Sequence, residues 1–523
     1  MFQKIRDLSK NLLIYGLGDV AVSVVNLLLL PLYVNYLTPE DYGALRLLGS
    51  VEAIAKIFFR WGLDGSFMRF YYDYEQPEER QKLASTIFFF LLAVNGGLLA
   101  AALIAGPFVA GALFEGAPHL RALQLTLVNT FLIGFTFFPF HLLRMEKRAA
   151  QFSALTLARS LSTVVLRILL IVGMGMGVLG VVVADLVVTA ALMVVLFRWF
   201  EPLMAPRFSR RILRESLQFG LPRVPHAAAQ QVIAVGDTFI LKAFRPLHEV
   251  GVYSMGVSFG LTQKLFLSAF EYAWAPFYYA NAREPDAKRL FASMTTYGLA
   301  VLAVITAGLS AIGGDLLAAA THNQAIYYVP AADVVSWTAV GVFFQGVYLL
   351  TSIGLNISKN TQYYPASTMT AAAVNMGLNF ALVPRFGMMG AAWANAVAYA
   401  LQALLAYRFS QRFYPIAYET RRILLVVTAA LVACFGARAL PAMHPIAGVL
   451  VRGTTVAVVY TAILAVTGFF RPDEVRALLA LRRGGAQPQE APTPEVTELA
   501  GEIIAAELPQ EEPAAPGQPE GRR

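Results

Sequence analysis

Apolar stretches of about 20 residues or more recur along almost the whole chain, and no other feature constrains its fold so tightly. Each is long enough to cross roughly 30 Å of hydrocarbon as a helix. About fourteen can be placed, near 11–37, 42–68, 83–107, 121–143, 152–174, 177–199, 213–241, 250–279, 290–312, 330–354, 362–384, 387–409, 422–440 and 446–469. A backbone in lipid must satisfy its own hydrogen bonds, and a helix does so within the segment. Composition agrees: of 523 residues 57% are hydrophobic and only 14% charged, with mean hydropathy +0.58. That is too little charge for the surface of a soluble protein this size. The sequence predicts an all-α polytopic membrane protein.

The formal net charge of +8 does not point to nucleic acid, because in such a protein the placement of cations matters more than their sum. Lysines and arginines gather in alternate loops: Lys4, Arg6 and Lys10, then Arg80 and Lys82, then Arg144, Lys147 and Arg148, then Arg207 to Arg214, and onward to Arg471 and beyond. The opposite loops carry little beyond Lys242, Arg245, Arg385 and Arg438. This bias predicts both termini in the cytoplasm and an even number of spans. The basic N-terminus leads into an apolar run too long for a cleaved signal peptide, so it is expected to be a retained first span. The single cysteine, Cys434, excludes disulfides within the chain and multi-cysteine metal sites and reads as a buried, inert thiol.

Internal similarity divides the chain further. YGLGDV at 15–20 matches FGLPRV at 219–224, and Asp41-Tyr-Gly43 matches Glu249-Val-Gly251. Phe70-Tyr-Tyr matches Phe277-Tyr-Tyr, and the Gly177-x-x-Gly180 pattern ending at Asp185 matches Gly387-x-x-Gly390 ending at Asn395. The matches keep their order at offsets between 204 and 210. They predict two pseudo-symmetric six-helix lobes in parallel orientation, residues 1–200 and 213–411, joined by a basic linker at 201–212. Residues 412–470 add two helices, and 471–523 form a Pro/Ala/Glu-rich tail expected to be disordered. Within the tail, 494–508 has the pattern of a short amphipathic helix, though a solvated segment fits its composition better.

Ionisable residues inside spans are costly, and they tend to face a cavity or one another. In the first span Asp19, Asn26 and Tyr33 are seven apart, so they share a face of a continuous helix. In the seventh Arg223, Gln230 and Asp237 match them, with His226 a turn beyond Arg223. The second span carries Glu52, Lys56, Arg60 and Asp64 four apart, a spacing that lets them pair along the helix and still meet a substrate. Arg46 and Arg69 near its ends read as snorkelling anchors. Arg159 and Arg167 lie on nearly one face of span five, and Lys264 and Glu271 on one face of span eight. Asp185 and Asn395 follow small-residue patterns that favour close helix packing, while Asp333, Asn375 and Asn379 read as partners in hydrogen bonds between helices. The surplus of deep cations predicts a cavity for an anionic group such as a phosphate or pyrophosphate. The expected substrate-binding set is Lys56, Arg60, Arg159, Arg167, Arg223, His226, Gln230, Lys264 and Asn26. Asp19, Asp237 and Glu271 are candidates for coupling to an ion.

No P-loop, metal-ligand spacing or long extramembrane loop for a catalytic domain is present. The residues therefore predict a protein without enzymatic chemistry or cofactor, a proton or sodium ion for coupling excepted. The rival from another class is a membrane glycan polymerase or ligase.

Four stretches carry a family resemblance. LSKN before the first span, Leu37-Thr-Pro-Glu-Asp-Tyr-Gly43 after it, and Gly62-Leu-Asp-Gly-Ser-Phe-Met-Arg69-Phe-Tyr-Tyr72 closing the second span resemble the Wzx-type oligosaccharide flippases of polysaccharide biosynthesis. Pro384-x-x-Gly387-x-x-Gly390-Ala-Ala-Trp-Ala is similar to that family too, and the likeness runs from residue 1 to about 470. These flippases share a superfamily with multidrug and toxin extruders (MATE) and lipid II flippases. The resemblance implies a V-shaped, MATE-like transporter in the bacterial inner membrane. It would move undecaprenyl-pyrophosphate-linked glycan, as in O-antigen or lipopolysaccharide synthesis, to the outer leaflet. Membrane lipids and a polysaccharide polymerase or export machinery are the implied partners, without nucleic acid. Lipid II, or a small molecule exchanged by antiport, is the alternative cargo.

FGLPRVPH, residues 219–226, sets two prolines within the seventh span. Each removes a helix hydrogen bond, and the bend reads either as a fixed kink or as a hinge carrying Arg223 and His226.

Overall fold

The computed structural model describes residues 29–471, apart from 31, 34, 75, 115–118, 147 and 322–324. Most of the first span, with Asp19 and Asn26, lies outside the described residues, as do the tail and the side chain of His226. The described part is helical without strands.

In the first lobe α1 (Pro39–Arg60) and α2 (Leu63–Asp73) make one broken span. Then follow α3 (Pro77–Leu113), α4 (Leu120–Met145), α5 (Ala149–Ile168) and α6 (Gly177–Phe200). In the second lobe α7 (Arg210–Gly220) and α8 (Val224–Phe244) form a broken span, as do α9 (Leu247–Gly260) and α10 (Lys264–Asn281). The lobe is completed by α11 (Ala287–Thr321), α12 (Ala332–Thr351), α13 (Tyr363–Phe386) and α14 (Met388–Phe413). A final hairpin, α15 (Thr420–Arg438) and α16 (Pro445–Val466), packs on α11. Among the described residues ten helical segments are long and apolar enough to cross a membrane. The three broken spans fall outside that count because they carry the charges or the interruptions.

Each break has a local cause. α1 starts at a capping box in which Thr38 and Asp41 exchange hydrogen bonds, with Pro39 in the first turn, satisfying amides that a helix N-terminus leaves open. It stops at Trp61 and Gly62, both with positive φ of 53° and 68°, a conformation glycine adopts at little cost. The interrupted ladder is repaired from α3, where Asn95 donates to the Phe59 carbonyl at 2.7 Å and accepts from the Trp61 indole at 3.1 Å. In the seventh span Leu221–Arg223 form a single 3₁₀ turn, and α8 restarts with Pro225 in its first turn, where a missing N–H costs nothing. The eighth span breaks through a second 3₁₀ turn, Leu261–Gln263. Irregular backbone at membrane depth is tolerated only where protein or water meets it.

The lobes touch at two levels through glycines. Where α1 crosses α9, a Cβ on Gly251 would collide with the Pro39 carbonyl, and one on Gly43 with the Leu247 carbonyl. Gly43 and Gly251 are the repeat-equivalent pair of the sequence, and small residues let the helices close to backbone contact. The Tyr42 and Ser258 hydroxyls bond across the same seam at 3.0 Å. At the other end of α1, where the span breaks, Gly62 and Gly220 stand in the same reciprocal relation, and Ser66 Oγ donates to the Ser216 carbonyl at 2.7 Å. The 19 residues from Gly43 to Gly62 rise about 30 Å, so the two seams lie a hydrocarbon thickness apart.

The interlobe cavity

Between those seams, α1 and the start of α8 enclose a cavity of about 730 Å³ lined by Glu52, Lys56, Arg60, Asp64, Arg223 and Gln231. A second, of about 420 Å³, is lined by Tyr33, Tyr42, Arg46, Asn129, Arg167, Asp185 and Ser258 among others. A third, of about 280 Å³, lies within the first lobe against Arg159, Arg167, Asn129 and Thr189. Glu52 lines all three, so they adjoin one another. Among the described residues their combined ionisable lining is Arg46, Lys56, Arg60, Arg159, Arg167 and Arg223 against Glu52, Asp64 and Asp185, an excess of three cations over carboxylates.

Neutralisation is uneven along this lining. Lys56 pairs with Glu52 at 2.5 Å and Arg60 with Asp64 at 3.7 Å, the latter across the α1–α2 break. Arg167 is bound most tightly: its guanidinium grips both oxygens of Asp185 at 3.0 and 2.7 Å and donates to the Tyr33 hydroxyl at 2.6 Å. Such a bidentate contact holds orientation as well as charge. Among the described residues, Arg46, Arg159 and Arg223 have no carboxylate within 4.0 Å. Arg223 instead lies 4.3 Å over the Phe219 ring, which also receives Arg69 at 4.8 Å. The aromatic residue opening FGLPRVPH is thus flanked by two guanidiniums, a cation–π arrangement that orients both.

Several expected residues are placed differently. Gln230 is exposed and its neighbour Gln231 lines the cavity. The seven-residue spacing from Arg223 assumed a continuous helix, and the 3₁₀ turn resets the register so that 224, 227 and 231 face inward. Asp237 is 1% exposed and turned away from the cavity, accepting from the Tyr253 hydroxyl, from Asn395 at 2.6 Å and from the Thr238 amide at 2.7 Å. Lys264 and Glu271 line none of the three branches, since the break before α10 separates them from α9, which meets α1. Arg46 is a lining residue rather than an anchor. Its Nε and the Oδ1 of Asn129 on α4 are buried without hydrogen-bond partners among the described residues, and an isolated asparagine in an apolar span was the sequence signal for the latter. Asn375 donates to Asn395 at 2.7 Å and so ties α13 to α14, as expected, whereas Asn379 donates at 2.9 Å to the Asn375 carbonyl of its own helix. Asp333 is 62% exposed and meets Arg438 of α15 at 3.4 Å, because the added hairpin supplies its partner. Among the described residues no three His, Cys, Asp or Glu side chains converge as a metal site.

The fold is that of known transporters. It is similar to the lipid II flippase MurJ in an inward-closed conformation, with TM-score 0.71, 13% identity, and 87% of this chain and 98% of that one covered. It is also similar to an inward-facing multidrug-resistance MATE transporter of the MOP superfamily (TM-score 0.61, 14% identity, 79% and 96% covered). A Vibrio cholerae MATE transporter gives TM-score 0.54 at 12% identity, with 78% and 97% covered. No curated protein matches the sequence. The family model described as polysaccharide biosynthesis protein matches residues 8–279, more than half of the chain, and the protein belongs to that family.

Proposed function

We propose that the protein is a flippase that carries an undecaprenyl-pyrophosphate-linked oligosaccharide from the cytoplasmic to the outer leaflet of the bacterial inner membrane, both termini being cytoplasmic. The observation that carries this reading is the excess of cations in a cavity between two lobes. In a site of low dielectric, arginines without a carboxylate partner attract a polyanion far more strongly than they would in water. The pyrophosphate would bind Arg223 with Lys56 and Arg60, and the glycan would extend toward Arg46, Asn129 and Arg159. The lipid tail would remain in the bilayer. Transport follows if the lobes part first at one glycine seam and then at the other, the rocking motion expected of paired repeats. Coupling to a proton or sodium gradient would fall to Asp19 or Glu271. No bond is made or broken, and the carrier needs no cofactor.

The experiment is reconstitution of the purified protein in liposomes with a fluorescent undecaprenyl-pyrophosphate glycan. Movement of intact substrate between leaflets supports the proposal. Polymerised or transferred glycan would establish the polymerase or ligase class instead, and selective movement of lipid II or of a small cation would establish a different cargo.

A further inference from the structure

A second basic cavity lies well away from the interlobe space, at the end of the bundle where α11 begins, α14 passes to α15, and the chain leaves α16. It has a volume of about 520 Å³ and is lined by Lys288, Arg289, Arg471, Glu419 and the apolar Pro415 and Ala417. Glu419 is already neutralised: it accepts from Arg422 at 2.8 Å and meets Arg471 at 2.6 Å. Arg422 is itself fixed between Tyr297 at 5.2 Å and Phe469 at 4.6 Å. Lys288 rests 4.8 Å over the Tyr414 ring, and neither it nor Arg289 has a carboxylate within 4.0 Å among the described residues. Three cations therefore line the cavity against one carboxylate that is already paired.

The wall between α14 and α15 is also preformed. Gln411 holds Ile416 through both its amide and its carbonyl, at 2.9 and 2.8 Å, keeping the irregular 414–419 segment in place. Apolar side chains border the cations in sequence, with Leu290 36% and Phe470 40% exposed beside Arg289 and Arg471. A preformed cationic cavity at a bundle end, with an exposed hydrophobic residue next in sequence to two of its three cations, fits an amphiphile whose phosphate enters while its chains lie along the helices.

We propose that this cavity binds the phosphate of an anionic membrane phospholipid, and that the bound headgroup ties the α15–α16 hairpin to the start of α11. A phosphate oxyanion is the recognised group. The exposed hydrophobic border favours its lipid source over free phosphate.

The test compares thermal unfolding of the purified full chain with phosphatidylglycerol, phosphatidylcholine or inorganic phosphate added. A ligand that binds only the folded state raises the midpoint. Phosphatidylglycerol is expected to raise it by about 3 °C or more relative to phosphatidylcholine. The K288Q/R289Q variant is expected to lose that rise, and the charge-retaining K288R/R289K variant to keep it. The proposal is overturned if the rise is absent, if it persists in K288Q/R289Q, or if inorganic phosphate gives the same rise. Should K288Q/R289Q fold poorly, Arg289→Gln alone is expected to at least halve the rise, and an undiminished rise overturns the proposal equally.

Discussion

The two lobes build the same polar junction from opposite materials. In the first, Tyr33, Arg167 and Asp185 join the first, fifth and sixth spans through a charged pair that lines the cavity, its side chains 18% and 25% exposed. In the second, Asp237, Asn375 and Asn395 join the seventh, eleventh and twelfth spans through a network closed by Tyr253 and turned from the cavity. Tyr33 and Asp237 correspond in the repeat, as do Asp185 and Asn395, and Arg167 and Asn375 fall within the same range of offsets. One junction keeps a largely buried ion pair on the cavity lining. The other spends its single carboxylate on holding helices together. Duplication thus set up a shared joint, and divergence made one copy electrostatic and the other architectural.

Breaking the second junction should cost most stability. Asp237→Leu removes the carboxylate that both the Tyr253 hydroxyl and the Asn395 amide bond, leaving them a single 3.2 Å contact with each other in a buried site, and a loss of about 3–5 kcal/mol is expected, read as a lowered thermal unfolding midpoint. Arg167→Ala in the first junction leaves Asp185 unpaired. Partial exposure reduces the penalty of a broken buried pair, so about 2–3 kcal/mol is expected. The double variant R167A/D185A should recover more than half of that loss, as a double-mutant cycle would show. Equal losses in the single and double variants would mean that the pair is not coupled. Tyr253→Phe should cost least, about 1–2 kcal/mol, because Asp237 keeps its bonds to Asn395 and Thr238. If Asp237→Leu proved milder than Arg167→Ala, the division into electrostatic and architectural junctions would be wrong.

Much of this was legible in residue order. The apolar runs foretold the helices and the paired motifs foretold two lobes, but that the repeat-equivalent Gly43 and Gly251 let those lobes meet was not foreseen. The four-residue spacing from Glu52 to Asp64 foretold ion pairs along the second span, although the Trp61–Gly62 break within it was not foreseen. What periodicity missed depends on interrupted helices. Counting sevens from Arg223 selected Gln230, and one 3₁₀ turn makes Gln231 the lining residue. Arg46 looked like an anchor because distance from a span end does not say which way a side chain faces. The Tyr253–Asp237 contact joins residues of different spans, which no single-helix pattern reveals.

The central claim is that the unbalanced cations of the cavity hold the pyrophosphate. The most direct measurement is the flipping rate of the R60Q/R223Q variant in liposomes, at matched insertion and unchanged thermal midpoint. The account predicts a fall of at least about tenfold, equivalent to roughly 1.4 kcal/mol of lost transition-state stabilisation. Transport at the wild-type rate would contradict it.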